Sequence, residues 1–183
     1  MFAVERDVAF GPENLGLKRE EVRMRVDESM RLLGIQELAQ RAPHELSDGQ
    51  KQRVALAGVI AMRPKLIILD EPTSLLDPRT ASELVGLIQD LNRTLGITFV
   101  IVEHRLDLLL RIASRMVVMG EGKKVLDGPP AEILTDERVE PLGVLVPSVP
   151  KLYTLLAKDG VTLGRIPLTP QELTEELRTA FPR

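Results

Sequence analysis

An α/β fold with a parallel core is what this 183-residue chain predicts, and three observations predict it. Residues 66–69 (LIIL) form an unbroken apolar run, as do most of residues 97–102 (ITFVIV). Continuous apolarity over so short a span is the pattern of a parallel strand covered on both faces. Between the two lies a segment with the punctuation of a single helix, Asp77 and Pro78 at its start and Gly96 at its end. Strand, helix and strand in that order make a parallel crossover unit.

The elements follow in chain order. Residues 1–17 read as short and turn-rich, because FGPENLG is breaker chemistry. From Lys18 to about Leu33, apolar Val22, Val26, Met30 and Leu33 recur at i, i+4, i+8 and i+11, one face of an amphipathic helix that Gly34 ends. A second helix follows Ser47 and runs to about Met62, and Pro64 disfavours the helical region for Arg63. The strand KLIILD comes next. Asp77 is a good N-cap, Pro78 suits the first helical position and Gly96 the C-terminal cap of the long helix after it. ITFVIVEH is the second strand and RLDLLLRIAS a short helix. RMVVMGEGKKVLDG reads as two strands joined by a tight turn, an antiparallel hairpin expected to finish the sheet. PPAEILT starts another short helix. After about Arg138 the chain turns Pro-rich, then carries an apolar helix around KLYTLLAKDG and a last one whose Thr169, Pro170 and Glu172 form a capping-box pattern. The expected organisation is a partial N-terminal segment plus helical subdomain at 1–62, an α/β core at 63–138 and a small C-terminal appendage at 139–183.

Composition narrows the function classes. Hydrophobic residues are 44% and aromatics only 3%, so the core rests on aliphatic side chains. A net charge of −3 gives no reason to expect nucleic acid as a partner. With no cysteine, disulfides and cysteine-based metal sites are excluded. No run approaches the ~18 apolar residues of a membrane span, and Glu5, Arg6 and Asp7 interrupt the N-terminus too early for a signal-peptide core. The cytoplasm is the expected location, with a peripheral membrane partner compatible.

Two constellations carry chemistry. The first is LSDGQ at residues 46–50. Ser47 with Gln50 three residues later is a capping box, which would satisfy orphan N–H donors and nothing more. Gly49 adds a second reading. Glycine in a first helical turn costs about 1 kcal/mol relative to Ala, which is better explained where something approaches the backbone closely; free N–H groups and the helix dipole favour a phosphate there. Asp48 opposes that reading, since its carboxylate repels an anion. The second constellation is Asp70 and Glu71, adjacent carboxylates at the carboxyl end of a strand, where open α/β sheets bind ligands. Asp70 could hold Mg²⁺ directly or through water, and Glu71 could activate water for attack on a phosphoryl group. His104 ends the next strand and could hydrogen-bond a terminal phosphate or the attacking water. The other histidine, His44, precedes the capping region and offers no second metal ligand.

These spaced segments together resemble the ATP-binding-cassette (ABC) ATPases. LSDGQKQRVALAGVIAMRPKLIILDEPTSLLDP resembles their signature helix, Walker B strand and D-loop; VIVEHRLD resembles the switch-histidine region, and VVMGEGKKVLDGPPAEIL the elements beyond. VERDVAFGPENLGL further resembles the branch that powers cobalt, nickel and vitamin uptake through energy-coupling-factor transporters. The resemblance implies a partial P-loop NTPase (RecA-like) parallel sheet with an inserted helical subdomain. It implies that Ser47, Asp48, Gly49 and Gln50 form a signature loop closing on ATP held by an opposite subunit. Asp70 would be the Walker B acid for Mg²⁺, Glu71 the catalytic carboxylate, Asp77 the D-loop acid at the dimer interface and His104 the γ-phosphate sensor. The implied partners are a second ATPase subunit and an integral-membrane transport subunit, at the inner face of the cell membrane. Two positions depart from the family pattern: Asp48 stands where Gly is usual, and SLLD replaces the commoner SALD.

One part of the family machinery has no match in the 183 residues. The phosphate-cradling loop G-x-x-x-x-G-K-[ST] is approached only by GPENLGLK, where Gly11 and Gly16 are correctly spaced but Leu17 stands in place of Lys and Arg19 follows Lys18. No adenine-stacking aromatic or Q-loop glutamine is visible either. The expectation is therefore the back half of a nucleotide-binding domain, with weak or no ATP turnover by itself. A non-catalytic role, offering the signature loop to an intact ATPase, is the alternative. A related DNA-repair ATPase is disfavoured by the lack of heptad segments and of a basic surface.

Overall fold

A computed structural model describes residues 3–181. Two compact units divide the chain, Met1–Glu103 and His104–Arg183.

The first unit opens with a helix where the sequence reading expected turns. Helix α1 runs from Val4 to Asn14 and contains both Gly11 and Pro12; residues 1 and 2 of the expected turn-rich segment lie outside the described residues. The reason is tertiary. Val4, Val8 and Pro12 stand at i, i+4 and i+8, and all three are buried. Pro12 sits in the last turn, so its lack of an N–H removes one bond near the end rather than breaking the middle. Gly11 allows close packing on the next layer, because a Cβ there would lie 2.8 Å from Met62. At the other end, the Val4 and Glu5 N–H groups donate to the carbonyls of Arg41 and Ala39, both at 3.0 Å.

Helix α2, Arg19–Leu32, buries the predicted stripe of Val22, Val26 and Met30, with Leu33 following. Gly34 then takes a left-handed φ of 62°. Two 3₁₀ turns lead to α3, Asp48–Ile60, which packs on α1 and α2. Strand β1, Leu66–Asp70, pairs in parallel with β2, Thr98–Val102, in the register Leu66↔Thr98 to Asp70↔Val102. Helix α4, Pro78–Leu95, crosses between them with the predicted caps, Asp77 at one end and Gly96 at φ 65° at the other.

The expectation of strands buried on both faces is not met. Alternate residues divide cleanly. Ile67 is buried, and Leu69, Phe99 and Ile101 pack with it on the unit's core, while Leu66, Ile68, Val100 and Val102 are 50%, 67%, 47% and 50% exposed. A parallel sheet is apolar on both sides because crossover helices cover both. In this unit the helices lie on one side of the pair, so the apolar run outstrips the cover.

The second unit holds α5, Leu106–Leu109, and the antiparallel hairpin of β3, Met116–Gly120, with β4, Lys123–Gly128. Glu121 and Gly122, at φ 48° and 71°, make its two-residue turn. The hairpin is its own two-stranded sheet and does not extend β1–β2, which corrects the expectation of a shared sheet. Its buried residues Val118 and Leu126 find their partners in Ile133 and Val139, Ile133 being part of α6, Pro130–Thr135. Helices α7, Ser148–Lys158, and α8, Pro170–Ala180, meet around Val149, Leu163 and Leu173. The capping pattern at α8 forms with a shift: Thr169 Oγ1 accepts from the Glu172 N–H, and the Glu172 carboxylate accepts from the N–H of Leu168 at 2.7 Å.

Candidate functional site

The start of α3 is a complete capping box. Ser47 Oγ accepts from the Gln50 N–H at 3.3 Å, and Gln50 Oε1 accepts from the Ser47 N–H at 3.0 Å. Asp48 is exposed and paired with Lys51 one turn on, Nζ to Oδ1 3.0 Å. Lys51 thus sets a positive charge against the carboxylate that would oppose an anion at this helix start. An exposed pair of this kind is worth at most about 1 kcal/mol.

Gly49 has a close neighbour within the unit. A Cβ built on it would stand 2.6 Å from Cγ2 of Thr80. The close backbone approach inferred at Gly49 is thus made by the first turn of α4.

That first turn is organised by Asp77. Its Oδ1 accepts from the N–H groups of Arg79 and Thr80 at 3.0 and 3.1 Å, and its Oδ2 accepts from the Thr80 hydroxyl at 2.5 Å. The Thr80 hydroxyl, then the Thr80 N–H, hold the Asp77 carboxyl below its ordinary pKa. A depressed carboxylate stabilises the fold above its unfolded pKa, and that contribution is lost as pH falls through the lower folded value. A second tie joins the same two helices: Glu83 of α4 meets Arg53 of α3 at 3.6 Å, and Arg53 also donates to the Leu33 carbonyl at 3.1 Å.

Asp70 is the last residue of β1, opposite Val102, and is exposed. Glu71 follows with a left-handed φ of 45°. Its N–H continues the ladder to the Val102 carbonyl at 2.9 Å, while its own carbonyl accepts from the N–H and hydroxyl of Ser74. The strand thus stops at Glu71, the chain reverses through buried Pro72 and Thr73, and the two carboxylates are left at the carboxyl edge. A left-handed conformation costs a residue with a Cβ about 1–2 kcal/mol. Glu71→Gly is therefore expected to be more stable than Glu71→Ala by about 1 kcal/mol, measured by urea denaturation of both variants; equal stabilities would show the backbone to be unstrained there.

The predicted residues are brought together unequally. Ser47, Asp48, Gly49 and Gln50 are contiguous with Asp77 through Thr80, and Asp70 adjoins Glu71. His104 follows Val102 by two positions and is the first residue of the second unit. No group of three or more His, Cys, Asp or Glu side chains suited to a metal occurs among the described residues. The chemistry present at the edge is that of two neighbouring carboxylates, which suits Mg²⁺ delivered with phosphate oxygens better than a cage of protein ligands. A groove of about 300 Å³ lies at the opposite, N-terminal ends of β1 and β2, beside Arg63, Lys65 and Ile97, and takes in none of these residues. Sequence reasoning missed Thr80, Arg53 and Glu83. Thr80 had a readable signal, being at the third helical position after an Asp cap.

Among the described residues no helix is long and apolar enough to cross a membrane. The family model described as "ABC transporter" matches residues 3–74, which takes in α1 to α3, the LSDGQ start, β1 and both carboxylates. The energy-coupling factor transporter ATP-binding protein EcfA1 of Clostridium perfringens is 45% identical over 175 residues, covering 95% of this chain and 62% of that protein. EcfA1 of Caldanaerobacter subterraneus subsp. tengcongensis is 45% identical over 173 residues, with 94% and 62% coverage. Among solved structures, cbiO1 of Clostridium perfringens, described as part of the ABC transporter complex cbiONQ, superposes with a TM-score of 0.68 at 38% identity over 85% of this chain and 61% of that one. The chain thus spans 62% of the length of these curated relatives.

Proposed function

The chain belongs to the ATPases of ABC transporters, in their energy-coupling-factor and cobalt branch, and from that premise we propose that it supplies the signature helix and the Walker B carboxylates of an importer's ATP-hydrolysing subunit. The single observation that carries this reading is the joint presence of a formed capping box at Ser47–Gln50 and a carboxylate pair delivered by β1 to the sheet edge.

In this reading Asp70 would hold Mg²⁺, directly or through water, and the ion would neutralise phosphate charge; Glu71 would orient and deprotonate the attacking water, and His104 would contact the γ-phosphate. Ser47, Gly49 and Gln50 close on ATP carried by a second subunit, and Asp77 lies at the surface between the two. The partners are that second ATPase subunit and an integral-membrane transport subunit, with metal ions or vitamins as the cargo. The working place is the cytoplasmic face of the membrane.

A second reading, in which the chain lends its signature surface to an intact ATPase, rests on the formed capping box at Ser47–Gln50 alone. The two readings separate by mutation. Mixed with an intact relative and MgATP, the chain is expected to form a nucleotide-dependent pair, seen by light scattering. If the chain only lends its signature, Ser47→Arg abolishes the gain in turnover and Glu71→Gln leaves it unchanged. If both carboxylates serve chemistry, each variant lowers it. No pairing under any nucleotide condition contradicts both.

A further inference from the structure

We propose that Thr80 is a positioning residue that joins the LSDGQ helix start to the Asp77 cap, so that the two predicted inter-subunit motifs move as one body. The inference rests on the reading above for what those motifs do. The joint itself stands on geometry alone.

Thr80 uses both branches of its side chain. Its hydroxyl donates to Asp77 Oδ2 at 2.5 Å, while Asp77 Oδ1 accepts from the N–H groups of Arg79 and Thr80, so the carboxylate is held at both oxygens. Its methyl faces Gly49 so closely that a Cβ there would stand 2.6 Å away. Real Cβ contacts are essentially never that short, so the Thr80 methyl requires glycine at position 49 at the present spacing of α3 and α4. The Arg53–Glu83 pair fixes the same two helices further along, at 3.6 Å. Asp77 and Ser47 lie thirty residues apart in sequence, and the Thr80 side chain is a direct link between their two helix starts. A β-branched side chain is stiff about χ1, so fixing the hydroxyl on Asp77 also fixes the methyl over Gly49. If nucleotide closure draws the α3 start toward a second subunit, Asp77 is drawn with it.

The two branches can be removed separately in the full 183-residue chain. Thr80→Val keeps the methyl and removes the hydroxyl. Carboxyl ¹³C NMR is expected to show the Asp77 midpoint rising in Thr80→Val and staying depressed in Thr80→Ser, with Arg79 and Glu83, the charged neighbours on α4, unaltered. Gly49→Ala should lower the melting temperature by roughly 5 °C, as overpacking does. Gly49→Ala combined with Thr80→Ser should recover most of that loss, because the methyl that collides is gone. An unmoved Asp77 midpoint in Thr80→Val, or a double variant no better than Gly49→Ala alone, overturns the proposal. Neither arm needs nucleotide. A third arm measures MgATP-dependent pairing with an intact relative, well below the melting temperature of each chain, and pairing should weaken several-fold in Thr80→Val. Failure of the wild-type chain to pair contradicts the functional reading and leaves the joint to be decided by the first two arms. Pairing by Thr80→Val as tight as wild type overturns the coupled movement.

Discussion

Glu71→Gln is expected to lower ATP turnover by about 10²–10⁴-fold once these residues are joined to a segment bearing G-x-x-x-x-G-K-[ST], the range that removal of a general base produces. The substitution keeps size and hydrogen-bonding shape and removes only the ability to accept a proton. Glu71 is exposed, and its backbone contacts to Val102 and Ser74 run through N–H and carbonyl groups that glutamine retains. Stability should therefore change by less than about 0.5 kcal/mol, which separates a chemical defect from a folding one. Nucleotide should still bind, because Asp70 and the added loop are intact. Steady-state phosphate release with a parallel melting curve measures both. Turnover within threefold of wild type would remove Glu71 from the chemistry.

The second large effect belongs to the fold. Val8→Asp should cost about 3–5 kcal/mol, the price of an unpaired charge in an interior. Val8 is fully buried, on the face of α1 that packs against α3. Phe10→Asp, two residues away on the same helix and 69% exposed, should change stability by no more than about 0.5 kcal/mol. Urea denaturation of the pair tests whether α1 is a docked helix, as observed, or the open turn that Gly11 and Pro12 suggest from sequence. Equal effects would contradict the docked helix.

That helix shows where the sequence stopped being readable. Gly11 and Pro12 are strong local punctuation, and locally they argue for a turn. Val4 and Val8, together with the close approach to Met62 that Gly11 allows, outweigh them, and no local rule carries a packing partner some fifty residues away. By contrast, Asp77, Pro78 and Gly96 bound α4 where expected, because caps are satisfied within a few residues of themselves. The same holds for Ser47 and Gln50. Strand burial departs from the local apolar pattern for a different reason. Apolarity in residues 66–69 and 97–102 records the cover a parallel sheet needs, and the structure leaves Ile68 and Val100 without it on one face. At the candidate site, the carboxylate pair and the capping box were legible as motifs. The left-handed backbone at Glu71 and the contact between Thr80 and Gly49 were not, since each depends on how two elements meet.

The most direct measurement is a calorimetric titration of the purified 183-residue chain with MgATP. Without backbone N–H groups and a lysine to cradle the phosphates, the chain by itself should show no micromolar binding and no turnover above background. Its response to nucleotide should emerge only when a partner or added segment supplies that cradle. Micromolar affinity in the chain alone, with turnover abolished by Glu71→Gln, would contradict this and mean that a complete phosphate site is formed by these residues.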